Sequence, residues 1–249
     1  TDLDANVRFE GTGMFIEAKK GRVLGTSLGT VKADIPHLGA PDPLLTVAGE
    51  ATGPTSEFLS FVAQSPVERW TDHALRGVHA VGDGRLALKF ALPLVAHERV
   101  TVEGDYEILG NQVRFAGLPA LTNLSGHVLF DQNGVRSRDL ALDVLGGKAH
   151  LALSSTEGVV RVNASGVASV ANLKSELDWP LMNRVSGSTD WELVAQSRAG
   201  ATSWTLTSNL RGAAIDLPAP LGKPAQEAVP LRVDVRETAG KPGEDALTV

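Results

Sequence analysis

The chain has 249 residues, of which 43% are hydrophobic and 21% are charged, and this composition is normal for a folded protein with a sizeable core. Its formal net charge of −6 is spread over both signs without a basic stripe, and only 5% of its residues are aromatic, which argues against nucleic-acid binding. It has no cysteine, which excludes disulfides, thiolate metal sites and a cysteine nucleophile.

Short strands separated by turns open the chain. Alternating residues predict strands at 6–10 and 13–18 around a glycine turn, then at 31–35 and 44–48. Pro41 and Pro43 make the segment before the fourth strand a loop.

Residues 54–76 break the strand rhythm. Phe58, Phe61 and Val62 have helical spacing after Pro54. A second helix is predicted from the capping box at residues 65–68 to a stop at Gly77. The inward stripe of this second helix is expected to be Val67, Trp70, Ala74 and Leu75. The sequence therefore predicts two short helices near residues 54–76.

Residues 85–108 have the clearest alternation in the chain. Apolar side chains occupy every second position of residues 86–94 and recur at Val100, Val102, Tyr106 and Ile108. The positions between them include Arg85, Lys89, Glu103, Asp105 and Glu107. Because successive strand side chains point to opposite faces, each strand should have one apolar and one charged face.

The remaining chain reads as strand and tight turn. Turn signals follow one another at short intervals at residues 110–111, 133–134, 146–147, 157–158 and 199–200. Strands are predicted at 113–115, 127–130, 140–144, 148–153, 159–164, 191–195, 204–208 and 231–235. This pattern predicts an antiparallel meander.

Two segments interrupt the meander. Residues 173–185 form a loop or a short helix, and a sub-boundary within a single segment 1–249 is predicted near residues 170–188. Four prolines make residues 217–230 an extended, irregular crossover.

Two short helices can shield only a small part of such a sheet. The sheet therefore folds onto itself as a sandwich, closes into a barrel, or curls into an open trough that something else covers. The pattern alone does not choose among these three arrangements.

The search for catalytic chemistry favours a protein that is not an enzyme. Of the six histidines, only His73 and His79 lie close enough to suggest a shared metal, and solvated side chains are the better interpretation. Asp139 and Asp143 are interpreted as solvated charges, not as an acid pair. Lys223 follows a glycine as in a phosphate loop, but the remaining motif residues are missing. No cofactor and no metal are expected.

Several stretches resemble one known family. They are Ser65-Pro-Val-Glu-Arg-Trp70 with the following residues 82–94, Val102-Glu-Gly-Asp-Tyr106, residues 118–126 and 129–135, Leu145-Gly-Gly147, and residues 210–225 ahead of Pro230-Leu-Arg-Val233. Together they resemble the large AsmA-like envelope proteins of Gram-negative bacteria, specifically the YhdP type.

The resemblance implies a fold and a function. It implies a mainly β segment of a longer periplasmic protein, a large curled antiparallel sheet with an apolar groove that carries phospholipid between the inner and outer membranes and supports the outer-membrane permeability barrier. The implied partners are phospholipid acyl chains and the remainder of the same chain. The sequence starts without Met at Thr1 and has no leader or apolar run long enough to span a membrane, so the inner-membrane anchor is expected outside this segment.

Three hypotheses remain: a lipid-binding trough, a structural β-sandwich module without a ligand, and an enzyme on a β scaffold. The first is preferred, because the strands are apolar on one side and the family resemblance agrees. The residues expected to contact lipid are Leu86, Leu88, Phe90, Leu92, Val102, Tyr106 and Ile108.

Overall fold

The computed structural model of the protein describes residues 2–23, 25–63, 77–96, 100–115, 118–176, 180–198, 201–218, 220–237 and 246–248. Alternating side chains form strands throughout, as predicted. The strands are β1 (Asp2–Glu10), β2 (Gly13–Val23), β3 (Thr26–Ile35), β4 (Leu44–Pro54), β5 (His79–Val81), β6 (Asp83–Pro93), β7 (Thr101–Arg114), β8 (Leu121–Asp131), β9 (Gly134–Val144), β10 (Gly147–Thr156), β11 (Val159–Ser169), β12 (Val185–Arg198), β13 (Ala201–Ser208), β14 (Ala213–Ile215), β15 (Leu231–Glu237) and β16 (Ala246–Thr248).

The predicted antiparallel meander is confirmed. Within the described ranges, sixteen strands form one sheet in the order β1-β2-β3-β4-β6-β7-β8-β9-β10-β11-β12-β13-β15-β16, with β5 beside β7 and β14 beside β12. The order has two ends, β1 and β16, so the sheet is not closed. The closed barrel is therefore wrong for these strands.

One of the two predicted helices is confirmed, and two short helices lie between residues 170 and 184. Helix α1 spans Thr55–Ala63, as the spacing of its apolar residues predicts. The second predicted helix, residues 65–76 with Val67, Trp70, Ala74 and Leu75, lies outside the described residues. Helix α2 (Val170–Glu176) and a 3-10 helix (Pro180–Arg184) occupy the segment predicted as a loop or short helix.

The predicted turns at residues 133–134, 146–147 and 157–158 are confirmed, the one at 199–200 lies outside the described residues, and the one at Gly110–Asn111 is wrong. Gly110 adopts the left-handed conformation (φ 72°), yet its N–H donates to Ser125 Oγ at 3.1 Å. Asn111 is completely buried. These contacts keep the chain in the sheet, so β7 continues through both residues to Arg114.

The chain folds as two compact units. Unit 1 comprises Thr1–Asn111 and Ser125–Arg136, and unit 2 comprises Gln112–Leu124 and Ser137–Val249. The predicted sub-boundary near residues 170–188 stays a prediction. The buried apolar residues of unit 1 are Ala18, Ile35, Ala80, Val102 and Ile108. Those of unit 2 are Val113, Leu124, Leu140, Leu142, Val144, Ala149, Ala168, Val170, Ala213 and Val235.

The crossover of unit 2 (residues 217–230) is fixed by a buried lysine. Lys223 is only 6% exposed, and its Nζ donates to the carbonyl oxygens of Leu210 (2.8 Å), Ala213 (2.7 Å) and Pro224 (3.2 Å). Its backbone forms two further hydrogen bonds with Ile215. An ammonium group with three donors is thus fully satisfied by the protein, and Lys223 is a structural residue instead of part of a phosphate loop.

Candidate functional site

The seven residues predicted to contact lipid lie on one face of unit 1. In the pairing of β6 with β7, Leu86 lies opposite Tyr106, Phe90 opposite Val102, and Gly84 opposite Ile108. Leu92 lies on the same side of β6 as Leu86 and Phe90, and it is opposite Leu45 of β4. Directly opposed residues of neighbouring strands project to the same side. We call this side of β3, β4, β6 and β7 the apolar face.

Neighbouring strands add residues that sequence reasoning missed. Val47 of β4 lies between Ala33 of β3 and Phe90 of β6. Ala51 of β4 lies opposite Leu86 of β6. Alternation had identified these strands but not their register, which depends on pairing between residues far apart in sequence. The apolar face is therefore wider than the two strands that revealed it.

Two glycines make room for aromatic rings on this face. Gly104 lies opposite Leu88, and a β-carbon on Gly104 would lie 2.0 Å from the ring of Phe130. A β-carbon on Gly84 would lie 2.2 Å from the Tyr106 hydroxyl. Rings that lie over glycines fill gaps in a sheet surface. Phe130 is thus a further residue of the apolar face.

The apolar face is only partly covered. Val102 and Ile108 are buried, at 8% and 9% exposure, whereas Leu86, Leu88, Phe90, Leu92 and Tyr106 are half-buried. Among the described residues, no phenylalanine or tryptophan side chain is fully buried. Large apolar side chains normally carry most of the burial in a core, so this face keeps apolar area accessible.

The opposite face of the same strands is charged. Lys32, Ala48, Lys89 and Glu103 form one row across four strands. Arg85 pairs with Glu107 at 3.1 Å, and the His127 ring nitrogen lies 2.9 Å from Asp105. Two concave regions of about 750 and 540 Å³ are lined mainly by residues of this charged face, and Leu88 and Phe130 also line the first and Val47 and Phe90 the second. Concavity alone therefore does not single out the apolar face.

A buried polar cluster lies where α1 meets the apolar face. Thr55 Oγ1 is 2.7 Å from the Tyr106 hydroxyl and accepts a hydrogen bond from Asn111 Nδ2. The ring of Phe58 meets that of Tyr106 edge-on, with centroids 5.2 Å apart. Burial raises the pKa of the Tyr106 hydroxyl, although its hydrogen bond with Thr55 acts in the opposite direction.

The other ionisable residues are dispersed. Asp139 lies 2.7 Å from His150, while Asp143 pairs with Lys148 at 2.8 Å. The hydrogen bond from Lys148, followed by one from Asn123, lowers the pKa of Asp143. His79 is exposed, and His73 lies outside the described residues. In the part of the chain that the structure describes, no cluster of three or more His, Asp or Glu side chains could hold a metal ion.

Comparison with known proteins identifies relatives of the whole chain. A protein-family model described as "YhdP protein" matches residues 1–249. The "Intermembrane phospholipid transporter YhdP" of Escherichia coli (strain K12) is 27% identical over 266 residues, covering 98% of this chain. The chain spans 20% of the length of that relative. No solved structure matches the chain significantly. None of the helices that the structure describes is long and apolar enough to cross a membrane.

Proposed function

The chain belongs to the YhdP family, and we propose that its apolar face binds phospholipid acyl chains while they pass between membranes. Its E. coli relative is an intermembrane phospholipid transporter by name. The chain covers a fifth of that relative, so the proposed role is that of one segment in a longer lipid path.

The main support for acyl-chain binding is a row of half-buried apolar side chains on one face of an open sheet. Leu88, Phe90 and Leu92 share this face with Val47 and Leu45 of the neighbouring strand. A contiguous accessible apolar surface marks a contact site for an apolar partner. An acyl chain is a suitable partner because it needs no hydrogen bonds from the protein.

The energetics permit transfer. Burial of apolar area is worth about 25 cal/mol per Å², so a partly covered acyl chain gains several kcal/mol, comparable with its gain in a bilayer. The face between Leu86 and Leu92 is aliphatic and aromatic, without charged anchors. A lipid can slide along such a surface while its headgroup stays in water at the edge.

The remaining parts of the proposal concern context. The segment works in the periplasm without catalysis and without a cofactor, and its partners are phospholipid and the rest of the same chain. The inner-membrane anchor of the longer protein lies outside this segment. Family membership and the name of the E. coli relative support a location between two membranes.

A lipid-binding assay with face-matched variants tests the proposal. The purified chain is incubated with vesicles of phosphatidylethanolamine and phosphatidylglycerol, re-isolated, and extracted for mass spectrometry. We expect bound phospholipid in the parent and in the charged-face variant Lys89→Ser/Ala91→Ser, and a clear loss in Leu88→Ser/Phe90→Ser. Equal retention in both variants, or no lipid in the parent, would favour a structural β module without a ligand.

A further inference from the structure

We propose that α1 is a gate on the apolar face, which closes the part around Leu86 and Tyr106 and opens it to acyl chains when the helix is displaced. This inference rests on the proposed lipid-binding function and adds a regulated boundary to that site.

The helix lies over residues that an acyl chain would otherwise contact. It begins directly after β4, and Thr55 N–H donates to the carbonyl oxygen of Gly82 at 2.9 Å. Phe58 then packs edge-on against Tyr106, which lies opposite Leu86 in the sheet. When the gate is closed, the helix therefore occupies the end of the apolar face at Leu86 and Tyr106. Phe90 and Leu92 lie farther along β6.

The attachment of the helix is concentrated at its first residue. Thr55 is 7% exposed and is the one buried residue of α1. Its hydroxyl group meets both the Tyr106 hydroxyl and the amide of Asn111. Near the other end, Phe61 is 59% exposed. The first residue of the helix is thus held by two hydrogen bonds, and Phe58 adds a ring contact one turn later.

Such a helix has little stability of its own. Helices shorter than about 12 residues are marginal in water, and α1 has 9. Within the described residues, Asn111 Oδ1 is buried without a hydrogen-bond partner, so the closed cluster is incompletely satisfied. A short helix with one buried residue can open locally at a low free-energy cost, and the hydrogen bonds of Thr55 contribute to that cost.

Single-hydroxyl variants separate the gate from the lipid-binding face. Thr55→Val removes the hydroxyl that joins the cluster and keeps the side-chain volume. Tyr106→Phe removes only the other hydroxyl and keeps the ring contact with Phe58. Thr46→Val is the matched control, because Thr46 lies in the same unit on the opposite face and its hydroxyl donates to Asp34 O at 3.4 Å.

The readout is photocrosslinking of the full chain to vesicles of phosphatidylethanolamine and phosphatidylglycerol. Benzoylphenylalanine is placed at Leu86, under the gate, or at Phe90, beyond it. The loss of one hydrogen bond in Tyr106→Phe should raise crosslinking at position 86 relative to position 90 about fivefold, and Thr55→Val, which loses two hydrogen bonds, should raise this ratio further. Hydrogen exchange of the α1 amides should accelerate in Thr55→Val and Tyr106→Phe but not in Thr46→Val.

Each other outcome overturns a distinct claim. Unchanged crosslinking at position 86 in a folded variant with faster α1 exchange would show that the helix is not a gate. An equal rise at both positions would show general loosening of the unit and contradict the gate. If position 90 does not crosslink lipid in the parent, the lipid-binding proposal itself fails and the gate fails with it. Should Thr55→Val not fold, Tyr106→Phe decides alone.

Discussion

The apolar face of unit 1 and the crossover of unit 2 deviate from ordinary burial in opposite directions. On the apolar face, Leu88 and Phe90 stay half-buried although they are strongly hydrophobic. In the crossover, Lys223 is charged yet only 6% exposed, and three carbonyl oxygens accept its hydrogen bonds. Half-buried apolar side chains on an open sheet mark a candidate contact surface, whereas a fully paired buried charge indicates a requirement of folding.

The largest effect should come from Lys223→Met. Methionine fills similar volume but removes the ammonium group that donates to the carbonyls of Leu210, Ala213 and Pro224, of which those of Leu210 and Pro224 also accept a backbone hydrogen bond. This loss should lower the free energy of unfolding by about 3 kcal/mol. Chemical denaturation measures this loss. Lipid bound per folded molecule should not change.

Lys148→Met is the matched control. The Lys148 side chain is 83% exposed and pairs with Asp143 at the surface, so its loss should leave stability almost unchanged. Equal effects of the two substitutions would contradict the structural role of Lys223.

The next largest effect should come from Gly104→Ala on the apolar face. The new β-carbon would occupy the space of the Phe130 ring, and such overpacking typically costs about 1–3 kcal/mol. Phe130→Leu in the same chain should recover part of this loss. Gly29→Ala is the control, because its β-carbon would meet its nearest neighbour at 3.5 Å, an ordinary contact. Equal destabilisation by both alanines would show that the ring does not depend on Gly104.

The strands of this fold were largely predictable from sequence, because apolar alternation has the period of a strand. The meander followed from turn signals such as Asn133–Gly134, where Asp131 Oδ1 accepts hydrogen bonds from both following N–H groups. The turn predicted at Gly110–Asn111 is wrong because the conformation of these residues depends on hydrogen bonds with Ser125 and Thr55, which are distant in sequence. Local patterns identify strands, while long-range contacts decide where they end.

The candidate site was predictable only in part. The alternation of apolar residues placed Leu86, Leu88, Phe90 and Leu92 on one face, but it contained no information on which strand lies beside β6. Phe130 joins the face only because Gly104 leaves space for its ring. The structural role of Lys223 likewise depends on three carbonyl groups that a bent crossover brings together, and no residue pattern encodes their convergence.

A smaller effect on stability is expected for Leu88→Asp. Since Leu88 is half-buried, the carboxylate keeps contact with water and should cost about 1 kcal/mol, whereas lipid crosslinking from Phe90 should fall sharply. Ala91→Asp adds the same charge to the opposite face, where its cross-strand neighbours Thr46 and Thr101 are uncharged, and should affect neither measurement. A failure of Leu88→Asp to fold would favour a closed core at this position.

The smallest effect is expected for the charged face of β15. Arg232 donates two hydrogen bonds to Asp234 and Thr205 donates a third, and these bonds lower the pKa of Asp234 to about 2. Its stabilising effect should therefore be present above the unfolded-state pKa near 3.8 and disappear as the pH falls through about 2. Urea midpoints of the parent and Asp234→Asn should differ at pH 5, and the difference should shrink strongly towards pH 2. Asp190→Asn is the control, and a difference as large at pH 2 as at pH 5 would contradict the ion pair as its source.

The most direct test of lipid binding on the apolar face is a photocrosslinking scan of consecutive β6 positions with phospholipid vesicles. Leu88, Phe90 and Leu92 lie on the apolar face, and Ala87, Lys89 and Ala91 on the charged face. Crosslinking should alternate with period two, strong at the first three positions and weak at the second three. Uniform crosslinking, or alternation with the opposite phase, would contradict the apolar face as the lipid-binding surface.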